Sequence, residues 1–253
     1  MASEAQKEQA LRRIRENIAQ KGHHIYVVSG GSTPRFAYTI GVSESIGVEL
    51  VLAGAIFYYL EDVTQIINDI AAQLKAQRDR PVFEVTGRGS FILRKAHASW
   101  ATALMLGALD YYRVSEIPAL QIVPDRSRWT IDVPDMSTPW SAAAEPVWRW
   151  LHEPWTYPVP EASTATTNLA SLRGERITEA MRCEENAWEL FAGAGPDVLE
   201  AEIRVVPLGV LLGADESLLP IVSLPIGRGL WRDAISEWHL WGSPSGSESE
   251  SIN

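Results

Sequence analysis

The residues of this chain best suited to hold a ligand by charge are Arg35, Tyr38, Arg94 and His97. An arginine offers a carboxylate or phosphate a planar fork of donors, and a tyrosine hydroxyl adds a directed hydrogen bond. Together they define a candidate anion pocket for an enzyme or small-ligand binder, weighed against the plainer alternative of an exposed hairpin rim. Cys183 is the single thiol. Arg182 beside it favours a thiolate and Glu184 and Glu185 oppose one, so it is not assigned as a nucleophile. His23, His24, His97, His152 and His239 form neither a His-Glu-x-x-His nor a His-x-His pattern, and no metal site is expected. Gly30-Gly31-Ser32 lacks the flanking glycine and lysine of a phosphate loop, and Gly87-Arg88-Gly89 lacks the third glycine of a dinucleotide fingerprint. Both read as turns, so no catalytic residue and no cofactor is expected.

The elements that would position these residues follow from periodicity. Ser3 and Gln6 make a capping-box pattern, and Leu11, Ile14 and Ile18 recur at helical spacing until Gly22 ends the run. Residues 24–29 and 36–41 are short β-rich runs separated by Gly30, Gly31, Ser32 and Pro34, and 49–53 reads as a third strand. Val63, Ile66, Ile67, Ile70 and Leu74 predict an amphipathic helix from Leu60, with Glu61 and Asp62 favoured by the dipole of its first turn. Residues 82–86 and 90–95 read as a hairpin through Gly87 and Gly89. Trp100, Leu104, Ala108 and Tyr111 suggest one helix containing Gly107, and 119–123 reads as a buried strand closed by Pro124.

This order predicts an α+β domain over residues 1–135. Trp129, Trp140, Trp148, Trp150 and Trp155 then fall close together, and tryptophans more often pack than bind. A Trp-rich clamp and linker is expected over 136–172, with the Pro/Ser/Thr/Ala-rich stretch 156–167 as the crossing. An acidic second module follows over 173–241, with strands at 187–191 and 202–206, a short helix after Pro207 and an apolar run after Asp215. Residues 242–253 read as a disordered tail. The expected fold class is α+β, two modules, each a largely antiparallel sheet with packed helices.

Charge divides along the same boundary. Residues 1–155 carry 16 Lys/Arg against 17 Asp/Glu, whereas 156–253 carry 6 against 15, so nearly all of the net charge of -10 lies in the C-terminal part. Such a field repels nucleic acid and anionic membranes and favours a basic protein partner. One cysteine suits a reducing compartment, and neither a signal peptide nor a membrane span is recognisable. A cytoplasmic location is expected.

Two resemblances add to this reading. Phe36-Ala37-Tyr38-Thr39-Ile40-Gly41, with residues 24–28 before it and Pro118-Ala119-Leu120-Gln121-Ile122-Val123-Pro124-Asp125 after it, resembles an uncharacterised bacterial domain family built around F-A-Y-T-x-G. The resemblance implies no activity and supplies no catalytic residue. Trp188-Glu189-Leu190-Phe191-Ala192-Gly193, followed by residues 205–208 and 232–238, is similar to small immunity-type domains encoded beside bacterial polymorphic toxins. Glu185-Asn186-Ala187 stands where that group has Asp-Ser-Gly. The resemblance implies a non-catalytic protein that neutralises a cognate toxin by binding. Electrostatic steering of a basic toxin surface would then use Glu184, Glu185, Asp197, Glu200, Glu202, Asp215 and Glu216, although Asp215 and Glu216 could simply start a helix.

Overall fold

The computed structural model describes residues 4–232 and 237–241; Ser3 of the expected capping box and the expected tail lie outside them. The fold is α+β with two six-stranded mixed sheets. The first contains β1 (His24–Val28), β2 (Phe36–Ile40), β3 (Glu49–Ala53), β4 (Phe83–Val85), β5 (Gly89–Lys95) and β6 (Ala119–Pro124), in the order β1-β2-β3-β6-β5-β4. Only the β3–β6 pair among these strands is parallel. Helix α1 (Glu4–Lys21) leads into β1, α2 (Ser43–Ile46) links β2 to β3, α3 (Leu60–Ala76) links β3 to β4, and α4 (Ala98–Leu104) and α5 (Leu106–Tyr112) link β5 to β6.

Strand periodicity gives the first sheet two buried faces. One carries Ala37, Leu50, Leu52 and Phe91 against Val63, Ile66, Ile67, Ile70 and Leu74 of α3, the apolar stripe expected from the sequence. The other carries Phe36, Tyr38, Ile40, Val51 and Ala53, which join Ile14 of α1, Trp100 and Leu104 of α4, and Trp148. The expected single helix over Trp100–Tyr111 is two helices that break at Met105 (φ -99°, ψ 39°). Gly107 explains the close approach there: its N–H donates to Tyr38 Oη at 3.0 Å, and a Cβ would lie 2.6 Å from that oxygen.

The F-A-Y-T-x-G motif builds the fold around a buried carboxylate. Glu49 is fully buried on β3. Its Oε2 accepts from the Thr39 hydroxyl (2.5 Å), and its Oε1 accepts from Gly41 N (3.0 Å), Ser43 N (3.1 Å) and the Tyr112 hydroxyl (2.7 Å). Those bonds replace the water that a carboxylate loses on burial. Gly41 has φ +105°, and an added Cβ would sit 2.9 Å from Ile18 Cγ1, so glycine is required for both backbone and packing.

The second sheet contains β7 (Thr164–Asn168), β8 (Glu179–Arg182), β9 (Ala187–Phe191), β10 (Ile203–Pro207), β11 (Gly229–Arg232) and β12 (Trp238–Leu240), in the order β10-β7-β9-β8-β11-β12. Only β7–β9 is parallel among its pairings. Strand β7 corrects the linker expectation: residues 164–168 are a central strand, continued by α6 (Leu169–Leu172). Three threonines give that segment β-branched side chains suited to a pleated sheet. Helix α7 (Leu208–Ala214) follows β10, and the apolar run after Asp215 is a 3-10 helix, Glu216–Ser223.

Two tryptophans of the 129–155 segment touch elements beside both sheets. Trp148 is fully buried, meets Trp100 edge-on with ring centroids 5.8 Å apart, and donates to Asp132 O at 2.9 Å. Trp150 donates to Gly209 O at the start of α7 (3.2 Å). Arg204 on β10 reaches back to Phe57 O through Nε (3.1 Å) and Nη2 (2.9 Å), and its guanidinium lies over the Tyr59 ring at 4.4 Å. One shared core therefore runs from Phe36 and Tyr38 through Trp148 to Leu190 and Leu208. Replacing Trp148 with Ala should cost about 3–5 kcal/mol, the scale of emptying a large aromatic site. Urea denaturation followed by circular dichroism checks this. Gly41→Ala should cost about 1–3 kcal/mol through its left-handed backbone, whereas Gly30→Ala has nothing within 4 Å of the added Cβ and isolates the backbone contribution.

Candidate functional site

The four residues of the expected anion pocket do not converge. Strands β3 and β6 separate β2 from β5, a gap of roughly 14 Å at ordinary strand spacing. Arg35, just before β2, donates from Nη2 to Tyr58 O (2.8 Å) and Ala55 O (3.4 Å) in the turn after β3. Tyr38 points into the shared core and stacks on Tyr26, and burial pushes its phenol up to about 12. His97 is the cap of α4, its Nδ1 accepting from Ser99 N at 3.2 Å. Arg94 alone of the four lines a surface groove.

Cys183 offers no activated thiolate. Burial, then Glu189 and Glu184, push its thiol up. The Arg182 guanidinium is engaged with Leu224 O, Glu185 O and Glu184 O and lies over Trp188. Among the described residues, no three of His, Cys, Asp and Glu converge as a metal site would require.

The acidic residues do not form one cluster. Glu184 and Glu185 occupy the turn from β8 to β9, at the end of the sheet where β9 begins. Asp197, Glu200 and Glu202 lie in the β9–β10 connection, beyond the opposite end of β9 and about 17 Å of strand away. All five are exposed. The extended β9 sets this separation, and β10, which runs opposite to β9 across β7, begins at the same far end. Asp215 is committed to the fold: it accepts from Ser217 N (2.9 Å) and the Ser217 hydroxyl, and meets buried Arg232 at 3.3 Å. Burial raises its carboxyl, but the Ser217 and Arg232 interactions outweigh this and hold it below the usual range. Exposed Glu216 lies 3.9 Å from Arg149.

What lies between the acidic loops is a surface that sequence reasoning missed. The inner face of the second sheet carries Ala165, Ala180, Trp188, Leu190, Val206 and Leu230 into the shared core, where α6, α7 and the 216–223 helix also pack. The outer face is open along its middle, whereas at the far end of β9 Gly195 packs over Phe191 and donates to Glu179 (3.0 Å). Val205, Thr166, Glu189 and Met181 stand opposite one another across β10, β7, β9 and β8. Met181 pairs with Gly229 on β11, over which Trp241 lies so closely that an added Cβ would be 2.3 Å from its ring. Val205 is 61% exposed and Trp241 40%. A second row joins Glu179 to Trp231, whose ring lies 4.7 Å from that of His239. The alternation in Ala187-Trp188-Glu189-Leu190 was the available signal, with Trp and Leu inward and Glu outward.

A buried charge sits where the modules meet. Asp132 is 1% exposed; its Oδ2 accepts from Ile56 N (3.0 Å), while Oδ1 and the nearby Arg35 Nε have no hydrogen-bond partner among the described residues. Burial raises its carboxyl pKa, and Thr130, Ile56 and Arg35 offset that only in part.

The fold and this open face define a two-module α+β protein with one uncovered sheet surface. Residues 17–128 match the family model described as Domain of unknown function (DUF4262), which spans the first sheet from late α1 to the turn after β6 and covers less than half of the chain. No curated protein and no solved structure matches the chain. No helix among the described residues is long and apolar enough to cross a membrane.

Because the folded value of Asp132 lies above the unfolded one, the fold binds more protons between the two. Its contribution to stability therefore declines as pH rises from about 4 through the folded value. Asp132→Asn should gain stability relative to the parent protein between about pH 4 and pH 7. Urea midpoints of both proteins at the two pH values test this, and a constant difference would refute it.

Proposed function

We propose that this protein is a non-catalytic binding protein that neutralises a cognate bacterial toxin by direct contact, through the open face of its second sheet. The observation that carries the reading is that face: apolar Val205, Met181, Trp231 and Trp241 alternate with Glu189 and Glu179, and acidic loops stand at both ends. A partner that covers it buries apolar area, worth about 25 cal/mol per Å² before the costs of association. The carboxylates around it select a basic surface and hasten encounter.

The contacts are Glu184 and Glu185 at one end, Asp197, Glu200 and Glu202 at the other, and Glu189 between them. Asp215 serves the fold rather than the partner. Nucleic acid and anionic membranes are disfavoured by the same field, and the single cysteine suits the cytoplasm.

Co-expression with the product of the neighbouring gene should give a stoichiometric complex that protects cells from that product's toxicity. Glu189→Lys should weaken the complex at least tenfold and flatten its salt dependence, while Glu44→Lys, on the exposed α2, leaves both unchanged. A neighbour without toxicity, or no complex at low salt, rejects the reading.

A further inference from the structure

The groove that contains Arg94 has no part in the proposed docking face. Its volume is about 680 Å³, within the range of small-molecule sites. Its floor is the β5–β6 end of the first sheet, where paired Ile92 and Val123 face away from α3; Ile92 is partly exposed there and Val123 is 3% exposed. Arg94 rises from the floor, Arg126 and Trp129 stand on the segment after β6, and Arg173 reaches in from the end of α6. Both modules therefore supply its walls.

Three guanidiniums border one small space. Arg94 and Arg126 are exposed, and neither makes a hydrogen bond or ion pair with a carboxylate among the described residues. Arg173 is held by a bond to Ser127 O (3.3 Å) and by the Phe57 ring, with its charge uncancelled by any carboxylate among the described residues. The carboxylate that does line the groove, Asp125, is occupied by Arg128 (2.8 Å), Ser90 N (3.2 Å) and Ser127 N (3.0 Å). The groove is thus cationic although residues 1–155 are almost neutral in sum. Partly buried Trp129 adds a planar apolar wall beside the cations.

We infer that this groove binds a mononucleotide-like ligand: a planar ring set against Trp129, with its phosphate received by the arginine forks. Phosphate geometry suits guanidinium, and partly exposed Ile92 accepts the apolar underside. The site differs from an anion pocket at Arg35 and Tyr38, because those side chains are sealed in the fold.

Isothermal titration of the full chain with AMP, adenosine and inorganic phosphate tests the inference. AMP should bind one-to-one, and adenosine and phosphate each at least about tenfold more weakly. Arg94→Ala and Arg126→Ala, at exposed positions, should each reduce AMP affinity about tenfold with unchanged thermal unfolding, as expected for losing one charge-assisted contact. Adenosine binding as well as AMP, no AMP binding at about 1 mM (the weak limit of the affinity scale), or AMP affinity untouched in both variants would each overturn it. The docking proposal stands or falls separately, because it uses neither arginine.

Discussion

The structure depends on the way residues 130–136 are held between the two modules. The Asp132 carbonyl accepts from Trp148, its carboxylate accepts from Ile56 N, and Ile131 N donates to Leu172 O at the end of α6. Gln121, fully buried on β6, grips the same segment by donating to Pro134 O (2.7 Å) and accepting from Met136 N (3.2 Å). Gly54 permits the close approach, since a Cβ there would meet Asp132 O at 2.0 Å. A backbone this deeply buried must have its polar groups paired. The pairing commits the sheet, the tryptophan segment and α6 to one arrangement. Burying the Asp132 carboxylate beside Arg35 opposes part of that gain, because desolvation of a charge is recovered only by complete hydrogen bonding.

A similar economy explains the F-A-Y-T-x-G run. Phe36 and Tyr38 face the shared core, Thr39 bonds Glu49, and Gly41 allows the chain to turn against Ile18. Each chemically suggestive residue of the motif is accounted for by burial or backbone geometry. The side chains of the motif therefore serve the scaffold.

Helical periodicity made α3 legible, because Val63, Ile66, Ile67, Ile70 and Leu74 all face one sheet. Local turn chemistry did the same for the β4–β5 hairpin. Strand β7 was obscured because Thr164-Ala165-Thr166-Thr167 shares the composition of a surface crossing, and its strand character depends on β9 and β10, which come later in the chain. The close approach at Gly107, just after the break at Met105, depends on Tyr38, far away in sequence. Candidate sites were least legible. Residue type makes Arg35 and Arg94 equivalent, but one donates to buried carbonyls and the other stands in a groove. The acidic residues looked like one cluster along the chain, yet the extended β9 runs between the two groups and holds them at opposite ends of a sheet.

That separation bears on what kind of interface the second module can make. Charges gathered at one point would give a local anchor, whereas charges at both ends of a strand row bracket the apolar and polar side chains between them. The bracketed row mixes Val205, Thr166, Glu189 and Met181 rather than presenting a continuous apolar sheet. Such a surface tolerates water while it is free, as the outer face of a largely antiparallel sheet commonly does. It also resembles the polar, charge-selected surfaces of reversible complexes more than a severed core. The first sheet, covered by α3 on one face and by α1, α4, α5 and Trp148 on most of the other, has no equivalent expanse to offer. The second module thus keeps a spare sheet face, and the arginine-lined groove lies where the two modules meet.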